Sequence, residues 1–112
     1  MNRFARGRMP AGQMNKTEQA YAQHLERLRA TGDVEWFRFE GVKLRLADNT
    51  FYTPDFALMS GDGVMEMHEV KGFWTDDARV KIKVAAGQYP FRFIAFKAVA
   101  KNRGGGWLRE EF

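Results

Sequence analysis

Apolar residues in this chain change their period several times, and each change marks an element. Between Asn15 and Thr31, Tyr21, Leu25 and Leu28 recur at helical spacing and predict an amphipathic helix. Asn15 is placed to cap it, and Gly32 to end it in the left-handed conformation. Val34 to Glu40 and Val42 to Ala47 alternate apolar with polar across Gly41, which predicts two strands or one long strand bent at a glycine bulge. Asp48-Asn49 supplies a turn. Phe51 to Met59 is apolar on both faces and reads as a central strand, in which Pro54 cannot donate to the ladder and predicts a distortion just before Asp55. Gly61-Asp62-Gly63 predicts a hairpin turn, with Val64 to Lys71 as the returning strand and Gly72 at its end. Thr75 caps a second helix with Asp76 and Asp77 in its first turn and Ala78, Ile82, Ala85 and Ala86 as its apolar face. Gly87 to Pro90 closes that helix. Phe91 to Ala98 predicts a last strand, parallel to an earlier one because a helix intervenes. Gly104-Gly105-Gly106 reads as a hinge, and Trp107 to Phe112 as a tail or short edge strand.

The order is therefore helix, two or three antiparallel strands, helix, strand: an α+β fold with a mixed sheet covered by helices. A length of 112 residues predicts one domain, here 15–112, with its core in 16–98 and a tail in 99–112. Residues 1–14 carry three arginines with Gly7, Pro10 and Gly12 and no periodicity, and read as a mobile basic arm. An apolar share of 45% supports a core without staples. The absence of cysteine excludes disulfides, thiolate zinc sites and cysteine nucleophiles, and two histidines argue against a histidine-built zinc site. No apolar run approaches the roughly 20 residues that span a bilayer, and no secretory h-region follows the basic N-terminus, so the expected compartment is the cytoplasm. The net charge of +4 suits an anionic partner such as nucleic acid. Arg3, Arg6, Arg8 and Lys16 at the front, and Arg79 and Lys83 one turn apart on the second helix, are the candidate phosphate contacts.

Candidate chemistry lies between Phe51 and Gly72. On the strand ending at Lys71, Glu69 and Lys71 share a face, roughly 7 Å apart at their Cα atoms. Pairing Ser60 with Val64 across the hairpin sets Asp55 opposite Glu69. Two facing carboxylates repel, and a divalent cation between them relieves the repulsion; oxygen ligands favour Mg²⁺ or Mn²⁺. Glu18, one turn before Tyr21 on the buried stripe of the first helix, either completes a capping box with Asn15 or points into the same site. His68 and Glu66 have the other parity; His68 reads as a packed or exposed strand residue and Glu66 as solvated. Phe73-Trp74 reads as core packing or a base-stacking pair, and Thr53 shares the face of Asp55. Exposed apolar residues such as Trp107, Leu108 and Phe112 would suit a dimer seam.

Glu18, Pro54-Asp55 and Glu69-Val70-Lys71, with the element order over 16–98, resemble the PD-(D/E)xK nuclease superfamily, and within it small phage-encoded endonucleases and archaeal-type Holliday junction resolvases. The resemblance implies a restriction-endonuclease-like αβββαβ core. It implies Mg²⁺ or Mn²⁺ held by Asp55, Glu69 and the Val70 carbonyl, with Glu18 reaching the ion directly or through water. It gives Lys71 the task of orienting or activating the attacking water. It further implies a DNA endonuclease acting on branched or replication-intermediate DNA, such as a Holliday junction, as a homodimer, in a host cytoplasm if phage-encoded. One departure stands out: Gln88 and Tyr89 are adjacent, whereas the exonuclease branch separates them by a helical turn. Two rival expectations remain at this point, a catalytically inactive nucleic-acid-binding module of the same fold and a phage accessory protein whose basic face meets an acidic protein.

Overall fold

The computed structural model describes residues 12–112. The expected basic arm with Arg3, Arg6 and Arg8 lies outside the described residues apart from its last three positions. The chain opens with helix α1 (Lys16–Ala30), followed by strands β1 (Val34–Phe39), β2 (Leu44–Ala47), β3 (Thr50–Tyr52), β4 (Phe56–Ser60) and β5 (Met65–Lys71). Helix α2 (Asp76–Gln88), β6 (Arg92–Ala98) and β7 (Trp107–Glu111) complete it. With the β2–β3 hairpin set aside, the order is α, three strands, α, strand, and then one added edge strand. The fold is α+β with a mixed sheet, as the sequence predicts.

Local chemistry starts and stops these elements where the pattern changes. The Asn15 side chain accepts from the Glu18 N–H at 2.8 Å, and Glu18 Oε1 accepts from the Asn15 N–H at 2.9 Å, so both halves of a capping box are present. Gly32, at φ +87°, takes the left-handed turn out of α1. The Thr75 hydroxyl caps α2 by accepting from the Ala78 N–H.

The main sheet runs β1-β4-β5-β6-β7, and a separate two-stranded sheet joins β2 to β3. β6 is parallel to β5 and the other pairs are antiparallel. The hairpin closes in the expected register: Ser60 N–H donates to Val64 O, and Phe56 faces His68. Gly61 donates to Asp33 O and approaches the loop after α1 so closely that an added Cβ would lie 2.2 Å from the Gly32 carbonyl oxygen. Both clashing partners are backbone. Gly61→Ala should therefore lower stability by about 2 kcal/mol, read as a drop in the urea midpoint at unchanged slope.

One sequence expectation needs correction and another is decided. Phe51 to Met59 is not one strand but breaks at Pro54, so that β3 leaves the main sheet and pairs with β2. Val34 to Ala47 forms two strands, the first of the two expected alternatives, and not one long bent strand: Glu40, at φ +49°, turns the chain out of β1 while its N–H bonds the Asp55 carbonyl at 2.7 Å. The hairpin and α2 cover one face of the sheet, burying Leu44, Tyr52, Met67, Ile82 and Phe93. Helix α1 covers the other, with Tyr21, Leu25, Phe56, Leu58 and Ile94. β5 is consequently buried on both faces, which explains why its polar residues need partners. No described helix is long and apolar enough to cross a membrane.

The tail also differs from expectation. Trp107 packs edge-on to Tyr21 at 5.0 Å and Phe112 against Trp74 at 5.8 Å, so these residues serve this chain's own core rather than an exposed dimer seam. Leu108 alone of the three stands exposed, at 63%.

Candidate active site

The site begins with a missing hydrogen bond. In the β4–β5 ladder the Ser60 N–H donates to the Val64 carbonyl, which sets this pair at a hydrogen-bonding position of the antiparallel register, and such positions recur every second residue. The same register carries the sequence of positions to Pro54 and Val70. Proline has no N–H, so the Val70 carbonyl meets no ladder donor there, and the strand breaks. The Val70 N–H points to the same edge and donates instead to Asp55 Oδ2 at 2.8 Å. Pro54, itself fully buried, thus holds Asp55 over the end of β5 and leaves one backbone carbonyl beside it.

Glu69, next along β5, is 6% exposed and has a partner on each carboxylate oxygen. The Tyr52 hydroxyl donates to Oε1 at 2.5 Å, and Lys71 Nζ lies 2.9 Å from Oε2. Tyr52 reaches it because β3 swings out of the main sheet at Pro54 and then lies over β5. Burial, the Glu69 charge and its hydrogen bond all push the Tyr52 phenol up, so it stays a donor.

The site is short of positive charge. Burial first, then the Glu69 carboxylate and the more distant Glu18 carboxylate, push Asp55 up to about 8, against the Val70 N–H and Lys71, which act the other way. Burial pulls the Lys71 ammonium down, but Glu69, Asp55 and Glu18 together outweigh it and hold Lys71 above the ordinary lysine value. Lys71 pairs with Glu69 alone, so the Asp55 carboxyl has no cation of its own in contact, and a divalent ion would relieve the strain on its charged form.

The donor set fits a hard cation: Asp55, Glu69 and the Val70 carbonyl supply oxygen only. Among the described residues no three carboxylate or imidazole side chains converge closely enough to form a complete cage by themselves. Glu18 belongs to the capping box, with Oε1 held by the Asn15 N–H, so it contributes field and a route through water rather than a third side-chain ligand.

The Glu69 carboxylate opens onto a groove of about 830 Å³ between the β2–β3 hairpin and α2. Glu69, Lys71 and Thr53 line it, and so does Lys81 from α2. Sequence reasoning assigned no role to Lys81 or Tyr52. Lys81 follows Asp77 and Ala78, which also line the groove, by one helical turn, a signal that needed only the placement of α2 to be read. Tyr52 shares no strand parity with Asp55 and gave no signal before the chain was seen to break.

The expected phosphate contacts divide. Arg79 is occupied: its guanidinium pairs with Glu110 at 2.6 Å and lies over the Trp74 and Phe112 rings. Lys83 is exposed, and its charge acts on the same Glu110. Neither lines the groove, and Lys16 is exposed at the start of α1. Trp74 is partly buried against the α2-side core, while Phe73 is 75% exposed.

On the other face of β5, Glu66 is buried rather than solvated, which corrects the parity reading. His68 Nδ1 lies 2.7 Å from the Tyr21 hydroxyl and Nε2 lies 2.8 Å from Glu66 Oε1, while Arg92 Nη1 reaches Glu66 Oε2 at 3.2 Å. Burial pulls His68 down against the pull of Glu66, favouring the neutral ring. A proton on Nε2 then satisfies every group: Tyr21 donates to Nδ1 and Nε2–H donates to Glu66. This chain of bonds lies on the opposite face from Glu69 and is a satisfied core network. No protein-family model, curated protein or solved structure matches the chain significantly.

Proposed function

We propose that this protein is a metal-dependent endonuclease that hydrolyses phosphodiester bonds in DNA, branched DNA included, working as a homodimer where two strands must be cut. The observation that supports this most is the convergence of Asp55, Glu69 and Lys71 at the end of β5, where Glu69 and Lys71 line a groove and the Glu69 charge acts on Asp55. Asp55, Glu69 and the Val70 carbonyl would hold Mg²⁺ or Mn²⁺. When bound, such an ion lowers the pKa of a coordinated water and neutralises charge on the scissile phosphate.

The chain's own groups do the rest. The Tyr52 hydroxyl fixes the rotamer of Glu69, and the Val70 N–H fixes that of Asp55, so both carboxylates are positioned before substrate arrives. Lys71, anchored on Glu69 but a quarter exposed, presents N–H donors to the phosphate oxygens as the pentavalent phosphorus gathers negative charge. Water adds through oxygen to phosphorus, the ester P–O bond breaks, and the leaving oxygen ends with the proton. Lys81, on the facing wall, is positioned for a neighbouring phosphate.

The test is cleavage of end-labelled single-stranded, duplex, flap and four-way-junction DNA with Mg²⁺ or with chelator. Cutting of at least one substrate only in Mg²⁺ is the expected result. Lys71→Ala should slow it about 10²-fold, the scale of losing one charged donor to the developing oxyanion. If no substrate is cut, or cutting persists undiminished with chelator, the reading fails.

A further inference from the structure

The groove mixes charge with apolar surface: Glu69, Lys71, Asp77 and Lys81 line it together with Phe51 on β3 and Val80 and Val84 on α2. The three apolar side chains are 39%, 56% and 38% exposed, so they do not complete the core behind them. Lys43 Nζ lies 4.5 Å from the Phe51 ring centroid, placing a cation beside the aromatic wall.

Resting on the endonuclease reading, we infer that the groove takes single-stranded DNA, with an unstacked base against Phe51, Val80 and Val84 and its phosphates at Lys71 and Lys81. A duplex offers only its sugar–phosphate exterior to a shallow site, because stacking covers the base faces. Phosphates have no use for an apolar wall, whereas a splayed base does; aromatic contact of this kind tolerates any sequence. Lys71 and Lys81 in the lining supply the charge complement to the same strand's backbone. The volume, about 830 Å³, falls within the range that encloses a small organic ligand. The chemistry at Asp55 and Glu69 would therefore act where strands are already unpaired, at a flap, a loop or a branch point.

Fluorescence anisotropy in chelator tests this with three labelled probes: a short single-stranded oligonucleotide, the same sequence as a duplex, and the same strand with abasic positions. The full chain is compared with Phe51→Ala and with Phe51→Tyr, which keeps a ring. The single strand should bind about tenfold more tightly than the duplex or the abasic strand, and Phe51→Ala should remove that advantage while Phe51→Tyr keeps it. Equal binding of single strand and abasic strand, or a Phe51→Ala variant with no loss on the single strand, overturns the inference. Cleavage in Mg²⁺ separates the two claims. Ring-dependent binding without cutting of any DNA defeats the endonuclease reading alone. Duplex cutting by a protein indifferent to Phe51→Ala defeats the single-strand inference alone.

Discussion

Glu69→Gln should reduce Mg²⁺-dependent DNA cleavage by about 10³-fold or more, because it removes a full negative charge from the ligand set while keeping the side chain's shape. The amide can still accept from the Tyr52 hydroxyl, so the fold has little reason to change at that contact. Lys71 loses its ion pair, now 2.9 Å, and with it a defined position for its ammonium. DNA binding in chelator should survive, since Lys71 and Lys81 remain to meet phosphate. Single-turnover rates with saturating enzyme separate lost chemistry from lost binding. Wild-type cleavage by Glu69→Gln would remove the nuclease reading altogether, since that reading has no other residue placed to replace it.

The second large effect is on stability, and its sign follows from Asp55. Its carboxyl titrates near 3.8 when exposed and at about 8 in the folded, metal-free chain, raised by burial and by Glu69. Between those values the folded state holds a proton that the unfolded state has lost. Stability therefore falls as pH rises through that window and levels off above it. At about 1.4 kcal/mol per pH unit the window sets a ceiling of about 6 kcal/mol. Neighbouring water and the Lys71 ammonium relieve part of that cost. Asp55→Asn, neutral at every pH and still able to accept from the Val70 N–H, should be more stable than the parent by about 3 kcal/mol at pH 9 in chelator, and no more stable at pH 4. Urea melts at the two pH values measure this. Mg²⁺ should raise the parent's stability at pH 8 and leave that of the variant unchanged, because a ligand stabilises only the state that binds it. A parent whose stability is flat across the window, and indifferent to Mg²⁺, would mean that Asp55 is an ordinary hydrogen-bonded carboxylate.

Together, the two expected results describe a site arranged at a cost to the fold. The sheet places Asp55 and Glu69 side by side with a single ammonium between them and water. A protein selected for stability alone would have replaced one acid with an amide, which is the change predicted to stabilise it.

Much of this site could be read before any coordinates. The turn at Gly61 to Gly63 set the β4–β5 register, and strand parity then put Asp55 and Glu69 together, with Lys71 on the same side as Glu69. The capping box of Asn15 and Glu18, the Thr75 cap and the parallel β6 were equally readable. Each depends on chemistry spanning a few residues, or on one short loop whose length leaves a single geometry. The burial of Glu66 was not readable, because alternation distinguishes the two faces of a strand without telling whether the second face meets water or a helix. The pairing of Arg79 with Glu110 was not readable either, because thirty-one residues separate them and nothing local brings them together.

Pro54 shows where the boundary lies. Its lack of an N–H was visible in the chain and predicted a distortion ahead of Asp55. How far the distortion went was a matter of tertiary pairing. β3 found β2 instead of continuing into β4, and so brought Tyr52 over Glu69 and opened the groove beside Lys81. Backbone donors, turn residues and side-chain parity are written into the order of amino acids. Which distant segment covers a face, and whose charge it brings, is settled only when the whole chain competes for the same buried surface.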